Sequence, residues 1–208
     1  HANQARITTF PFNDKNNCLY APDVIAFARE KGYFNGRNKD FSFSDVYAPL
    51  DYGALRACEA RVWSFFRQAS TGMEQYQAYI SGESAERMPL WVKPARKLSV
   101  QDFKTFMRDQ YEGTDLDITK GVGAGFYGSK LRLSPLSFQL DGQTYYHERP
   151  IATQQTGFSF VAQMRNWLPS YIGGILWFGV DDARFNIYAP IYCGINSVPD
   201  CYSETNGS

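Results

Sequence analysis

The strongest hydrophobic pattern of the chain lies in two apolar runs in its second half. Gly157–Met164 and Ile172–Val180 are rich in aromatic and β-branched residues, and a proline-containing break at Trp167–Ser170 separates them. Neither run shows the alternation of polar and apolar residues that is typical of a half-exposed strand. We therefore predict two strands that are buried on both faces, in the middle of a layered core.

Two segments carry the start and stop signals of helices. Pro22–Lys31 begins with proline, has an acidic residue in its first turn and is followed by Gly32, which ends it. Ser99–Tyr111 opens with a capping box, because Ser99 stands three residues before Asp102. We predict one short helix for each segment.

Gly53–Gln68 is the clearest amphipathic helix of the chain. Its apolar residues recur at helical spacing and form a stripe that consists of Leu55, Cys58, Val62 and Phe66. We predict that Glu59 and Arg67 lie off this stripe. We therefore predict that the helix packs its apolar stripe against the core.

Three weaker patterns indicate further strands. Ala5–Thr9 resembles the end of a strand, and Leu90–Val92 resembles an edge strand, since the proline that follows at Pro94 cannot donate to a ladder. Phe185–Ile191 is a third candidate.

A hairpin is predicted near the middle of the second half. Leu136–Leu140 and Thr144–Tyr146 flank Asp141-Gly142, a dipeptide that favours a tight primed turn. Helices thus precede strands along the chain, and this order predicts an α+β fold and not alternating βαβ units.

Charge and length exclude several partners. The 208 residues hold 21 basic and 21 acidic side chains without a basic block, which argues against nucleic acid or an anionic membrane as a partner. No apolar run reaches the roughly 18 to 20 residues that a membrane helix needs. The length suits a single domain over residues 1–208 with a sizeable core.

Familiar catalytic and metal-binding motifs are incomplete in this sequence. The glycine-rich loop Gly121–Gly128 follows a helix, whereas a phosphate loop follows a strand. Asp115–Thr119 resembles the start of a calcium loop, but Lys120 replaces the glycine that the loop requires. The only histidines, His1 and His147, support neither a zinc site nor a Ser-His-Asp triad.

The four cysteines are too few for a disulfide scaffold. Cys18 and Cys58 are isolated and are predicted to be core residues. Cys193 and Cys201 stand eight residues apart, and two alternatives remain open for them: a disulfide that closes a small loop, or two free buried thiols.

Several blocks of sequence together resemble one enzyme family. They are His1–Ile7, Ala60–Trp63, Lys97–Asp102 with Arg108–Thr114, and Arg149–Asp182. In order and over nearly the whole chain, they are similar to the N-terminal-nucleophile cysteine dipeptidases, which include secernin-like dipeptidases and are distant relatives of penicillin V acylases and bile-salt hydrolases.

The resemblance implies a fold and a mechanism. The fold is a four-layer αββα sandwich with mostly antiparallel sheets. The mechanism uses an N-terminal cysteine, exposed by removal of a leader, whose thiolate forms an acyl-enzyme with no metal or cofactor. Because this chain begins at His1, we expect it to be the central portion of a larger N-terminal-nucleophile hydrolase domain. Alone it would be inactive, and its partner would be the segment of the same enzyme that bears the catalytic cysteine.

Two catalytic residues are implied by position within these blocks. Asn3 resembles the family asparagine whose amide donates into the oxyanion hole, against the alternative of a terminal turn residue. Arg61 resembles the arginine that reaches toward the nucleophilic sulfur, against the alternative of an ion pair with Glu59 or Asp51. Arg6 is interpreted as structural, like Gln163.

Two function hypotheses follow. The first is a cysteine-type dipeptidase or amidase that acts on short peptides with a free amino end. The second is a non-catalytic protein that holds a peptide or glycan with the aromatic-rich loop Gly121–Tyr127. The sequence leaves the oligomeric state open, with a homo-oligomer as one alternative. It also leaves the cellular compartment open, although a periplasmic or secreted location is slightly favoured over a cytoplasmic one.

Overall fold

The computed structural model describes residues 3–9, 11, 14, 16–131 and 137–203. The chain divides into two compact units, residues 1–95 and 96–208. The assignment of residues 1–208 to one domain stays a prediction. No helix in the described ranges combines the length and the apolar character that crossing a membrane requires.

The described part of the first unit is built from short helices. They are α1 (Val24–Glu30), α2 (Phe43–Tyr47), α3 (Tyr52–Ala54), a π-turn (Leu55–Glu59), α4 (Ala60–Ala69), α5 (Gln77–Ile80), and two 3₁₀ turns (Asn38–Asp40 and Met73–Tyr76). The helix predicted over Pro22–Lys31 is confirmed as α1, and Gly32 ends it in the left-handed conformation at a φ of 73°.

Neither strand predicted for this unit forms. Ala5–Thr9 is not in a ladder, because its carbonyl groups meet a helix: those of Ile7 and Thr8 accept hydrogen bonds from the first N–H groups of α2. Leu90–Val92 is likewise irregular, and the carbonyl of Leu90 accepts a hydrogen bond from the Arg6 side chain. Side-chain and helix-end donors thus replace the strand partners that both predictions assumed.

The amphipathic stretch Gly53–Gln68 is helical as predicted, but a π-turn at Leu55–Glu59 interrupts it. Glu59, inside this turn, follows Leu55 by four positions and precedes Val62 by three, which places it on the same helix face as both. Glu59, predicted to lie off the apolar stripe, is only 3% exposed and shares a face with Trp63, which is 2% exposed. The buried stripe therefore differs from the predicted one by including an acidic residue.

The second unit contains the strands. Its elements are α6 (Val100–Met107), a 3₁₀ turn (Val122–Ala124), β1 (Ser137–Leu140), β2 (Gln143–Tyr146), β3 (Phe158–Met164), α7 (Ser170–Gly173), β4 (Gly174–Val180), β5 (Ala189–Tyr192) and α8 (Asp200–Ser203). The capping box of α6 is confirmed, with Ser99 and Asp102 each bonded to the other's backbone N–H.

The hairpin prediction is also confirmed. β1 pairs with β2 in antiparallel register, and Asp141 and Gly142 between them have φ values of 50° and 75°. Positive φ at both central residues is what a type I′ turn requires. Leu136, part of the predicted first strand, lies outside the described residues.

The central sheet has the order β3-β4-β5, and both pairings are antiparallel. Burial on both faces is wrong for β3, which alternates: Ser159 and Val161 are buried, whereas Phe158 and Phe160 are 59% and 49% exposed. The cause is one-sided cover, since α6 packs against one face and places Lys104 Nζ 3.7 Å from the ring centre of Trp177.

Helices together with antiparallel sheets confirm the α+β class. The four-layer αββα sandwich stays a prediction. Among the cysteines, Cys193 carries a free, exposed thiol, so the disulfide alternative is not formed. The side chain of Cys201 lies outside the described part of the structure.

Candidate functional site

The two residues predicted as catalytic are in direct contact. Arg61, in the first turn of α4, donates a hydrogen bond from Nη2 to Oδ1 of Asn3 at 2.7 Å. Its Nε also donates to the carbonyl of Ala57 in the π-turn at 2.8 Å. The fold therefore joins two side chains that are 58 positions apart in the sequence.

The chemistry of the contact fixes the direction of the Asn3 amide. A guanidinium group has N–H donors and no acceptor, so the atom that it meets must be the amide oxygen. The NH₂ group of Asn3 consequently lies on the side away from Arg61. Such an arrangement presents an amide donor whose oxygen is already bound to a cation.

The backbone of Asn3 is in a conformation that few residues adopt. Its φ is 71°, and its side chain is exposed. Asparagine enters this left-handed region more readily than most residues, but the conformation still carries strain. Strained backbone that the surrounding contacts hold in place is concentrated at functional sites.

A buried ion pair lies next to this contact in the sequence. Arg6 Nε is 3.0 Å from Oε1 of Glu59 and donates a hydrogen bond to Oε2 at 3.2 Å. Both side chains are more than nine-tenths buried. Glu59, considered above as a partner of Arg61, is thus the partner of Arg6, and Asp51 Oδ1 accepts from the N–H of Ala54 as a helix cap.

Further donors surround this ion pair. Tyr79 donates from Oη to Oε2 of Glu59 at 3.1 Å. Burial, followed by the neighbouring charge of Glu59, raises the pKa of the Tyr79 phenol well above its usual value, so the hydroxyl keeps its proton and remains a donor. A cavity of about 150 Å³ borders Arg6, Glu59 and Tyr79.

Reasoning from the sequence missed Glu59 as a member of this group. Its spacing was one signal, since it follows Leu55 by four positions and precedes Val62 by three and so shares their helix face. A second signal was its position two residues before Arg61, which belongs to the Ala60–Trp63 block. Arg6 was interpreted as structural, and its buried ion pair agrees with that interpretation.

The segment Asp115–Thr119, which resembles the start of a calcium loop, has a structural role. Asp117 accepts hydrogen bonds from the backbone N–H groups of Gly113 and Thr119 and from the Thr119 hydroxyl. Burial opposes ionisation of Asp117, but these hydrogen bonds prevail and lower its pKa. Within the described ranges, no cluster of three or more His, Cys, Asp or Glu side chains is arranged to hold a metal ion.

The glycine-rich loop of the second unit differs from a phosphate loop. A 3₁₀ turn at Val122–Ala124 occupies it, and Phe126 and Tyr127 are almost fully exposed. His1, the first residue of the His1–Ile7 block, lies outside the described residues.

Comparison with known proteins adds a family to this geometry. The sequence matches the profile of "Peptidase family C69" over residues 1–208. It is 25% identical to a "Probable dipeptidase" of Salmonella dublin over 93% of this chain, and 25% identical to a "Probable dipeptidase" of Latilactobacillus sakei over 98% of this chain. It is also 21% identical to "Dipeptidase A" of Lactobacillus helveticus over 98% of this chain.

The matched regions make up 39%, 38% and 38% of those three relatives, so the chain spans about two fifths of their length. The match to the family profile nevertheless extends from the first residue to the last. This chain belongs to peptidase family C69.

Proposed function

We propose that this chain is part of a cysteine-type dipeptidase that hydrolyses short peptides through an acyl-enzyme. The nucleophile would be an N-terminal cysteine located outside the 208 residues, and the remainder of the same enzyme would be the partner of this chain. The observation that carries the proposal is the contact of Arg61 with an asparagine in the left-handed conformation, since Asn3 accepts the 2.7 Å hydrogen bond at a φ of 71°. The names of the relatives, which are dipeptidases, agree with it.

The role proposed for Asn3 is to donate a hydrogen bond to the oxyanion. When a thiolate attacks the peptide carbonyl, the oxygen acquires a full negative charge, and a preorganised donor stabilises that charge more than it stabilises the neutral carbonyl. The NH₂ group of Asn3 faces away from Arg61, and the hydrogen bond to Arg61 limits the rotation of the amide. Reorganisation during the reaction is therefore small.

The role proposed for Arg61 is twofold. It holds the Asn3 amide in one orientation, because only the oxygen can face a guanidinium group. Its positive charge also polarises that amide, stabilises the anionic intermediate and lowers the pKa of a nearby thiol. No metal or cofactor is needed for these steps.

Substitution of Asn3 tests this function in the full-length enzyme that contains this chain. Asn3→Asp keeps the size and the acceptor that Arg61 binds but replaces the NH₂ donor by an anionic oxygen. We expect kcat to fall by at least about 10²- to 10³-fold with little change in KM, since the repulsion of the oxyanion adds to the loss of one donor.

The chain offers a matched control for this experiment. Arg29 Nη2 donates to Oδ1 of Asn38 at 2.7 Å, which is the same chemical contact at an exposed position. Asn38→Asp should leave kcat unchanged. A kcat of Asn3→Asp within about threefold of the wild type would contradict the role of Asn3.

The non-catalytic alternative rests on one observation, the exposure of Phe126 and Tyr127 in the glycine-rich loop. Aromatic side chains in that setting stack on peptide or sugar groups. If the alternative holds, Phe126→Ala with Tyr127→Ala abolishes retention on immobilised peptide or oligosaccharide, and the Asn3 substitution leaves that retention intact.

A further inference from the structure

We infer that the buried ion pair between Arg6 and Glu59 positions the catalytic contact between Asn3 and Arg61. This inference rests on the proposed function and assigns positioning roles to two residues that touch neither substrate nor the reacting atoms. Arg6 follows Asn3 by three residues, and Glu59 precedes Arg61 by two. The same two segments are therefore joined twice, once at the surface and once in the interior.

The inner connection is the firmer of the two. Arg6 is 9% exposed and Glu59 is 3% exposed, whereas Asn3 is an exposed residue. Charged pairs in a buried environment are poorly screened, and breaking one leaves an uncompensated charge. The interior pair consequently has the strength to hold the exposed Asn3 segment against α4.

The guanidinium group of Arg6 donates hydrogen bonds to several acceptors. Besides Glu59, it donates to the carbonyls of Leu90 at 3.1 Å and Pro89 at 2.9 Å, and to that of Met88 at 3.5 Å. A lysine would supply one point charge and could not reproduce this fork of donors. Arg6 thus anchors the Asn3 segment to the carbonyls of residues 88–90 as well as to the π-turn.

Helical spacing explains why the two contacts can coexist, since Glu59 and Arg61 are two positions apart and residues at that spacing face nearly opposite sides of a helix. The π-turn ends at Glu59, which faces the interior beside Trp63, while Arg61 lies half-buried at the edge of the same helix. An acidic residue can thus face inward and a basic residue outward within three positions. Such single-turn π insertions are frequent at functional sites.

Positioning makes a different prediction from a purely structural role. If Arg6 acts by placing Asn3, then Arg6→Lys lowers kcat because the oxyanion donor is displaced, and a displacement of about 1 Å can cost up to about 10²-fold. Once Asn3 has become Ala, there is no donor left to misplace. The second substitution should then cost much less than it does alone.

The test is a double-mutant cycle in kcat/KM with Arg6→Lys and Asn3→Ala in the full-length enzyme, with melting temperatures measured in parallel. We expect each single variant to lose kcat with little change in KM, and the double variant to resemble Asn3→Ala. Arg37→Lys is the control, since Arg37 pairs with Asp40 in an exposed position outside the cavity that borders Arg6 and Glu59. Its effect should add to that of Asn3→Ala.

Milder variants keep the inference testable if Arg6→Lys does not fold. Glu59→Gln keeps the shape of Glu59 and removes its charge, and Tyr79→Phe removes one hydroxyl from Glu59 and keeps the ion pair. Both should reduce kcat far less in the Asn3→Ala variant than in the wild type. In the wild type, the loss of kcat should be smaller for Tyr79→Phe than for Glu59→Gln.

The outcomes distinguish the positioning role of Arg6 and Glu59 from the proposed function. Full additivity of the Arg6, Glu59 or Tyr79 variants with Asn3→Ala would overturn the positioning role and leave the proposed function standing. An unchanged kcat in Asn3→Ala would overturn the proposed function, and the positioning role with it.

Discussion

The first unit contains two contacts of the same chemistry in different settings. Arg61 binds Asn3 and Arg29 binds Asn38, each through Nη2 and Oδ1 at 2.7 Å, and each arginine also donates to a backbone carbonyl at 2.8 Å. Both contacts are exposed, but the Arg29 contact spans 9 positions and the Arg61 contact spans 58. Contact geometry alone therefore does not distinguish a candidate catalytic pair from an ordinary surface pair.

The surroundings distinguish them. Asn3 has a φ of 71°, whereas Asn38 begins an ordinary 3₁₀ turn after α1. Three residues after Asn3 a buried ion pair connects the same two segments. Backbone strain and interior support thus set the Asn3 contact apart from the Asn38 contact, and strained backbone is concentrated at functional sites. The predictions that follow test this difference.

The largest effect is expected on stability, from the ion pair behind Asn3. Glu59→Ala leaves Arg6 charged and buried without its carboxylate, and breaking a buried pair costs about 3 to 5 kcal/mol of unfolding free energy. The control is Asp40→Ala, since the Arg37–Asp40 pair is exposed on both sides and should contribute only about 0.2 to 1 kcal/mol. Chemical denaturation of both variants measures the difference. Equal losses of unfolding free energy in the two variants would show that the buried pair gives the Asn3 segment no more support than a surface pair would.

The next effect is on activity, from Arg61. Arg61→Ala frees the Asn3 amide to rotate and removes a positive charge from the site, so we expect a loss of about 10²-fold in kcat/KM, as for one oxyanion donor. Because a cation lowers a thiol pKa, its removal raises that pKa and shifts the acid limb of the kcat/KM profile to higher pH. Arg29→Ala should change neither quantity. A profile of Arg61→Ala that superimposes on the wild type would refute the charge effect.

Local features of the fold were predictable from the sequence. The capping box of Ser99 and Asp102 and the Asp141-Gly142 hairpin turn were both found where predicted, because each depends on a few neighbouring residues. The exposure of one face of β3 was not predicted. Apolar residues such as Phe158 and Phe160 indicate that a face can be buried, but they do not show which element, if any, covers it.

The candidate site was predictable only in part. Asn3 and Arg61 came from the resemblance of their sequence blocks to a family, as no spacing rule connects residues 58 apart. Glu59 follows Leu55 by four positions and precedes Val62 by three, so helical spacing already places it on the apolar face. It was missed because acidic residues are seldom buried unless they are paired, and its partner Arg6 is 53 positions away. Interior charged residues with partners distant in the sequence are therefore the part of a site that pattern analysis is least able to find.

The smallest effect is a reversal of sign at the two asparagines. At a φ of 71° the left-handed backbone costs alanine about 1 to 2 kcal/mol of unfolding free energy, a cost that glycine does not have. Asn3→Gly should therefore be more stable than Asn3→Ala. At Asn38, in a 3₁₀ turn, alanine should instead be the more stable by about 0.5 to 1 kcal/mol, because glycine has the larger backbone entropy to lose. Both glycine–alanine differences come from the same denaturation experiment. Since neither substituent can bind arginine, each difference reports the backbone alone, and a common sign at both positions would show that Asn3 stores no strain.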